Sequence, residues 1–219
     1  MKKIINLAII LIIGGFIMSG FSQPQTLRLP PPVKKGKVSL EEALDIRSSV
    51  REYLKKPLTM REVSQLLWAA YGQNKWAKLT SPSAGATYPL TLYIVAGEID
   101  DLPMGMYKYN NRSHSLTLVK GQDLRANLSR AALNQPWVKE APLVIIVCAH
   151  YPATTSYYGA RGKRYVDIEV GHVGQNIYLQ ATALGLGTVA VGAFNDKSVE
   201  AVLDVKETPL YIFPVGVRK

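Results

Sequence analysis

The chain has 219 residues, with 26 Lys or Arg against 16 Asp or Glu and a formal charge of +10 at pH 7. Hydrophobic content of 47% with 19% charged residues excludes a disordered chain, and the length suits one sizeable domain. No arginine-rich helix, zinc-ligand spacing or aromatic–basic interleaving accompanies the basic balance. That sets nucleic acid aside and leaves an anionic cofactor or a membrane surface.

The first predicted element is a targeting segment. Lys2 and Lys3 precede an apolar run from Ile4 to Met18, broken only by Asn6, and Gly20 and Ser22 are the small residues expected before a cut. Residues 1–22 therefore read as a secretory signal peptide, predicting an exported, periplasmic or otherwise extracytoplasmic protein. An uncleaved membrane anchor is the alternative, and only then is a membrane a partner. No arginine pair precedes the cut and no cysteine lies near it, so neither twin-arginine export nor a lipoprotein is indicated. Residues 23–38, with Pro24, Pro30, Pro31, Pro32 and three lysines, read as an extended tether.

Residues 39–219 form the domain. Ser39-Leu40-Glu41-Glu42 is a capping box opening a helix to about Arg47, and Thr59-Met60-Arg61-Glu62 opens a second, with Gly72 as its C-cap. Leu90 to Ala96 reads as a buried strand, and Met106–Tyr109 with Leu116–Val119 as a hairpin. Asp123 to Leu133 reads as a surface helix. Leu143 to Ala149 is another strand, carrying the single cysteine, Cys148, as a buried inert thiol. Tyr165 to Leu184 is the longest helical pattern. Between Val170 and Leu184 only His172 can carry charge, so this helix belongs inside the protein or at a subunit interface. Gly185 and Gly187 close it; Thr188–Val191, a helix over 196–203 and a strand over 210–215 follow. The mixture predicts an α+β fold.

Three places carry candidate chemistry. Arg47 and Arg51 are four apart and on a helix would share a face. Two guanidinium forks around Ser48 and Ser49 suit a phosphate. Ser83 to Ala86 are small residues between Pro82 and Pro89, so a ligand can approach their main-chain N–H groups. Gly192 and Ala193 leave bare backbone at a strand end. Glu169 and His172, at i and i+3, read as a structural pair and not a metal site. His114 is placed in the hairpin loop, His150 follows a strand, and no Gly-x-Ser-x-Gly elbow occurs.

Together, Arg47-Ser48-Ser49-Val50-Arg51-Glu52-Tyr53, Pro82 to Leu90, and Arg164 to Asn176 continuing to Phe194 resemble the nitroreductase-like FMN flavoproteins. The nearer branch is that of the thiazoline/oxazoline dehydrogenases and small stand-alone relatives. The resemblance implies a mixed sheet wrapped by helices, an intertwined homodimer and FMN at its interface. It implies that Arg47, Ser48, Ser49 and Arg51 hold the phosphate and ribityl chain, with Arg218 adding a contact. Residues Pro82, Ser83, Ala84 and Gly85 would reach the flavin from the other subunit, and Gly192 and Ala193 would lie by its reactive edge. In place of the branch's Lys-Tyr pair stands Tyr157-Tyr158, which argues against azoline oxidation and leaves Tyr158 as the candidate proton donor. The expected function is an exported FMN oxidoreductase acting on a nitroaromatic or quinone-like substrate, with NAD(P)H as a possible donor. The alternative is a non-catalytic flavin carrier on the same scaffold.

Overall fold

The segments Leu90–Ala96 (β2) and Leu143–Ala149 (β5) are almost wholly apolar, and such runs need cover on both faces of a sheet. A computed structural model, which describes residues 26–219, shows both covers. The signal-peptide expectation for residues 1–22 lies outside the described residues.

The sheet contains Thr26–Arg28 (β1), β2, Gly105–Asn110 (β3), Ser115–Lys120 (β4), β5, Leu186–Thr188 (β6) and Thr208–Val217 (β7), in the order β1-β4-β3-β2-β5-β7-β6. Every pairing between neighbours is antiparallel. Period-2 alternation divides the strands between two cores. Leu92, Ile94, Ile145, Val147 and Phe213 pack with Met60–Tyr71 (α2) and Arg161–Ala183 (α6), through Leu66, Leu67, Val173 and Ile177. On the other face, Val95, Val144, Ile146 and Cys148 meet Arg125–Ala131 (α3), Pro136–Glu140 (α4) and Asp196–Leu203 (α7) through Leu128, Val138 and Leu203. Each fully buried aliphatic side chain contributes roughly 1.5–3 kcal/mol. Burial in the second core also pushes the Cys148 thiol up, consistent with an inert packing role.

Local signals set most helix ends. Leu40–Ile46 (α1) is capped by Ser39 Oγ on the Glu42 N–H, and α2 carries a reciprocal Thr59/Glu62 box. Gly72 is the C-cap of α2, where a Cβ would lie 2.6 Å from the Trp68 side chain. Two helices, α4 and Pro152–Tyr158 (α5), do not stand out in the hydrophobic pattern, yet each has proline in its first turn. The helix expected over 123–133 shortens to α3 and is half core, with Leu128 fully buried. The strand expected over 188–191 lies earlier, as β6, with only a bridge from Val191 to Ile212 beyond it.

The proline-rich segment is extended, but its described part is fastened to the domain. Thr26–Arg28 pairs with β4, and Leu29 is buried. The Pro30 carbonyl accepts from Ser64 Oγ and lies 3.0 Å from His114 Nε2. Val33 exchanges main-chain hydrogen bonds with the Gln65 amide at 2.8 and 2.9 Å. Proline fixes φ without breaking these contacts, because its carbonyl remains an acceptor.

Candidate functional site

The Arg47–Tyr53 stretch does not continue α1. The helix ends at Ile46, and Arg47 turns out with φ −59° and ψ 129°. Arg47 and Arg51 therefore do not share a helical face. Residues 47–54 instead run along the β6/β7 edge, where the Val50 N–H donates to the Thr188 carbonyl at 2.8 Å and the Leu54 N–H to that of Val217 at 2.9 Å. Glycines permit this approach: a Cβ at Gly187 would lie 2.5 Å from Val50 Cγ1, and one at Gly216 would lie 2.7 Å from the Tyr53 ring. Tyr53 Oη donates to the carbonyls of Val50 and Pro214, and its burial pushes the phenol pKa up.

Tyr178 on α6 joins this strip to the Gly192 region, and motif reading missed it. Its Oη lies 2.9 Å from Ser49 Oγ and accepts the Ala190 N–H at 2.8 Å. The Arg47 guanidinium stands 5.2 Å from the centre of the same ring, and that of Arg51 stands 5.5 Å from Trp137. Gly192 and Ala193 are exposed immediately beyond, with the Ala193 carbonyl held by Gln135 Nε2 at 2.8 Å. Arg218 is exposed and bridges to Tyr53, which brings it to the same strip. Among the described residues, Arg47, Arg51 and Arg218 enter no ion pair, whereas Lys219 pairs with Glu52 at 3.1 Å.

This donor set fits a flavin mononucleotide. Guanidinium forks free of carboxylates and the hydroxyls of Ser48 and Ser49 match a phosphate and a polyol, and the exposed backbone at Gly192 and Ala193 matches the edge of a flat ring. One further donor lies beside them. The indole N–H of Trp137, under Arg51, is the only buried side-chain polar atom among the described residues without a hydrogen-bond partner.

The residues 82–85 form a second group. Ala84–Ala86 is a single 3-10 turn in which Gly85 has φ +59°, and a Cβ there would meet Tyr158 Oη at 2.7 Å. Tyr158 packs edge-on against Tyr165 at 5.1 Å. Ser83 Oγ accepts the Tyr88 N–H at 2.9 Å. Glu169 is only 2% exposed and accepts from Tyr71 Oη at 2.6 Å. Burial raises its pKa, and the Ser83 hydroxyl, the hydrogen bond from Tyr71 and the charge on His172 oppose that rise. A cleft of about 260 Å³ lies between Pro82, Ser83 and Ala84 and the α6 face carrying Tyr165, Glu169 and His172.

Within one chain the two groups are not brought together. Tyr178 serves the first and Glu169 the second, nine residues apart on α6, or ~13 Å of helix rise.

The profile of the Nitroreductase family matches residues 44–217. Protein MJ1384 of Methanocaldococcus jannaschii, provisionally named a nitroreductase, is 48% identical over 180 residues, covering 82% of this chain and 91% of its own. The Bacillus subtilis FMN reductase, whose name gives NAD(P)H, is 28% identical over 119 residues, covering 49% of this chain and 47% of its own. A crystal structure from Ralstonia eutropha, also provisionally titled a nitroreductase, superposes with a TM-score of 0.77 at 26% identity, covering 89% of this chain and 90% of that one. A fold with these layers, a matching profile over most of the domain and a near-full-length relative at this identity lead to one conclusion: the chain belongs to the nitroreductase family.

Proposed function

We propose that this protein is an exported, FMN-dependent oxidoreductase that exchanges electrons between NAD(P)H and a small planar organic acceptor, nitroaromatic or quinone-like. Family membership and the likeness to an FMN reductase support a flavin-dependent oxidoreductase in general. The observation that carries the finer reading is the strip in which Tyr178 ties Ser49 to Ala190, with unpaired Arg47 and Arg51 beside it and exposed Gly192 and Ala193 beyond.

FMN supplies the hydride and single-electron chemistry when bound. The chain's own residues bind, orient and enclose. Arg47, Arg51 and Arg218 supply positive donors for the phosphate, with Ser48 and Ser49 for the polyol. Gly192 and Ala193 leave room for the ring edge. Residues 82–85 close the ring from a second copy, because within one chain they face a different stretch of α6. Exposed Leu40, Leu44 and Ile46 on α1 and Ile168 on α6 support that homodimer. Sedimentation equilibrium checks it, and a monomer at micromolar concentration contradicts it. Tyr158, exposed beside Gly85, is the proton donor in this reading. Export rests on the leader-like residues 1–22; recovery of full-length chain in the cytoplasmic fraction contradicts it.

Equilibrium dialysis against FMN and riboflavin tests the cofactor assignment. FMN is retained and riboflavin binds at least ~100-fold more weakly, since charge-assisted phosphate contacts account for the difference. Equal retention of the two contradicts it.

A further inference from the structure

We infer that the cleft between the proline-rich segment, α2 and α6 is a second ligand site, built for a single-chain amphiphile with an anionic head. This goes beyond the flavin reading and does not depend on it.

Each wall follows from local periodicity. On α2, Arg61, Gln65 and Trp68 are spaced i, i+4 and i+7 and share one stripe. At the end of α6, Gln180, Ala183 and Leu184 are spaced i, i+3 and i+4 and share another. Val33 to Val38 close the third side, and the space between the three is about 480 Å³. The proline-rich segment is held there because Gln65, only 8% exposed, exchanges two hydrogen bonds with the Val33 backbone. The second amide proton of Gln65 goes to Gln180 Oε1 at 3.0 Å, which leaves the Gln180 amide N–H groups as donors for the cleft. The remaining wall is apolar. Val33, Val38, Ala183 and Leu184 join the Trp68 ring, whose N–H is spent on the Gln73 carbonyl at 2.9 Å.

The rim carries charge of one sign. Lys34, Lys35, Lys37 and Arg61 are exposed and enter no ion pair among the described residues. Glu62 is the one carboxylate among the lining residues, and its Oε2 already accepts the N–H and the hydroxyl of Thr59 at 2.7 and 2.8 Å. Cations without a counter-charge above an apolar wall suit an anionic head on an apolar tail. The lysine stems can cover the tail while the ammonium groups meet the head. A bare anion would leave the wall unused, and a bare hydrocarbon would leave the rim unused. The cleft is also separate from the arginine strip. Gln180 and Tyr178 are two residues apart on α6, about 200° around its axis, and so face opposite sides.

The test is calorimetric titration of the full chain at low ionic strength with decyl sulfate below its micelle concentration. Decyltrimethylammonium and inorganic sulfate are the comparisons, and circular dichroism checks that the fold is kept. Decyl sulfate should bind at least ~10-fold more tightly than either, and adding FMN should leave its affinity unchanged. The triple variant Lys34→Gln, Lys35→Gln, Arg61→Gln should bind it ~10-fold more weakly. Ala183→Leu, which fills the cleft and keeps every charge, should weaken it by a similar factor. If Ala183→Leu does not fold, the triple variant of surface residues decides alone. Wild-type affinity in either folded variant overturns the inference, because the amphiphile is then held elsewhere on the chain. So does displacement by FMN, which places it on the arginine strip, or binding as tight for the cation or for bare sulfate. A chain that binds no decyl sulfate overturns it too, and none of these results touches the cofactor reading.

Discussion

Tyr178 Oη sits 2.9 Å from Ser49 Oγ and accepts the Ala190 N–H at 2.8 Å, so one phenol on α6 clamps the arginine-bearing strip to the backbone leading into Gly192. The clamp joins segments more than 120 residues apart in sequence. It also gives Arg47 an aromatic face to rest on.

Tyr178→Phe keeps the ring and deletes both hydrogen bonds. With Ala190 left unpaired, the expected cost is ~2 kcal/mol of stability or cofactor affinity. Urea denaturation with and without FMN separates the two. A variant with unchanged midpoint and unchanged affinity contradicts the clamp.

The double variant Arg47→Ala, Arg51→Ala should fold and lose FMN. Neither arginine is paired with a carboxylate, so their removal costs only the two ring contacts, ~1 kcal/mol each, while the phosphate loses both forks. Dialysis reports affinity and circular dichroism reports folding. Retained FMN in a folded double variant removes these residues from the site.

That arginine pair shows where sequence reading succeeded and failed. Residue types and order around Arg47–Tyr53 marked the strip, but the i, i+4 spacing suggested a helical face that the fold does not make. Ser48, Ser49 and Val50 are indifferent helix formers, and the hydrogen bond from Val50 to Thr188, a distant residue, takes the backbone instead. Strands β2 and β5 were legible because two-sided burial leaves an unbroken apolar run. Tyr178 was not, since its hydroxyl acts only once Ser49 and Ala190 are folded against it. Glu169 looked like half of a local pair with His172, whereas its hydrogen-bond donor is Tyr71, from another element. The proline-rich segment reads as an extended tether because composition records stiffness and not the acceptors that Pro30 and Val33 offer to α2 and to His114.

Gly187→Ala should lift residues 47–54 from the sheet edge. A Cβ there would lie 2.5 Å from Val50 Cγ1 and 2.7 Å from Val50 Cβ, and overpacking of this kind costs ~1–3 kcal/mol. Val50→Ala in the same chain should return part of that loss. A double-mutant cycle of denaturation midpoints checks it, and additive effects contradict the contact.

His114 predicts an acid-sensitive grip on the proline-rich segment. Its Nε2 lies 3.0 Å from the Pro30 carbonyl and 2.7 Å from Ser64 Oγ, and its Nδ1 lies 2.9 Å from Tyr109 Oη. Burial lowers its pKa below the ordinary 6.5, partly offset by the Pro30 hydrogen bond. The folded chain thus binds fewer protons at this site than the unfolded chain. Its stabilising contribution is complete above about pH 6.5 and is lost as pH falls through the lowered value. The difference between wild-type and His114→Gln unfolding free energies should shrink from pH 8 to pH 5. A difference independent of pH contradicts it.

The most direct test of the central claim is the visible spectrum of the full chain loaded with FMN, recorded without oxygen during addition of NADH or NADPH and then of a nitroaromatic or a quinone. The account predicts flavin bands that bleach with a nicotinamide and return with the acceptor. Bands that stay unchanged with both nicotinamides, on protein that holds FMN, would contradict the oxidoreductase reading and leave a flavin carrier.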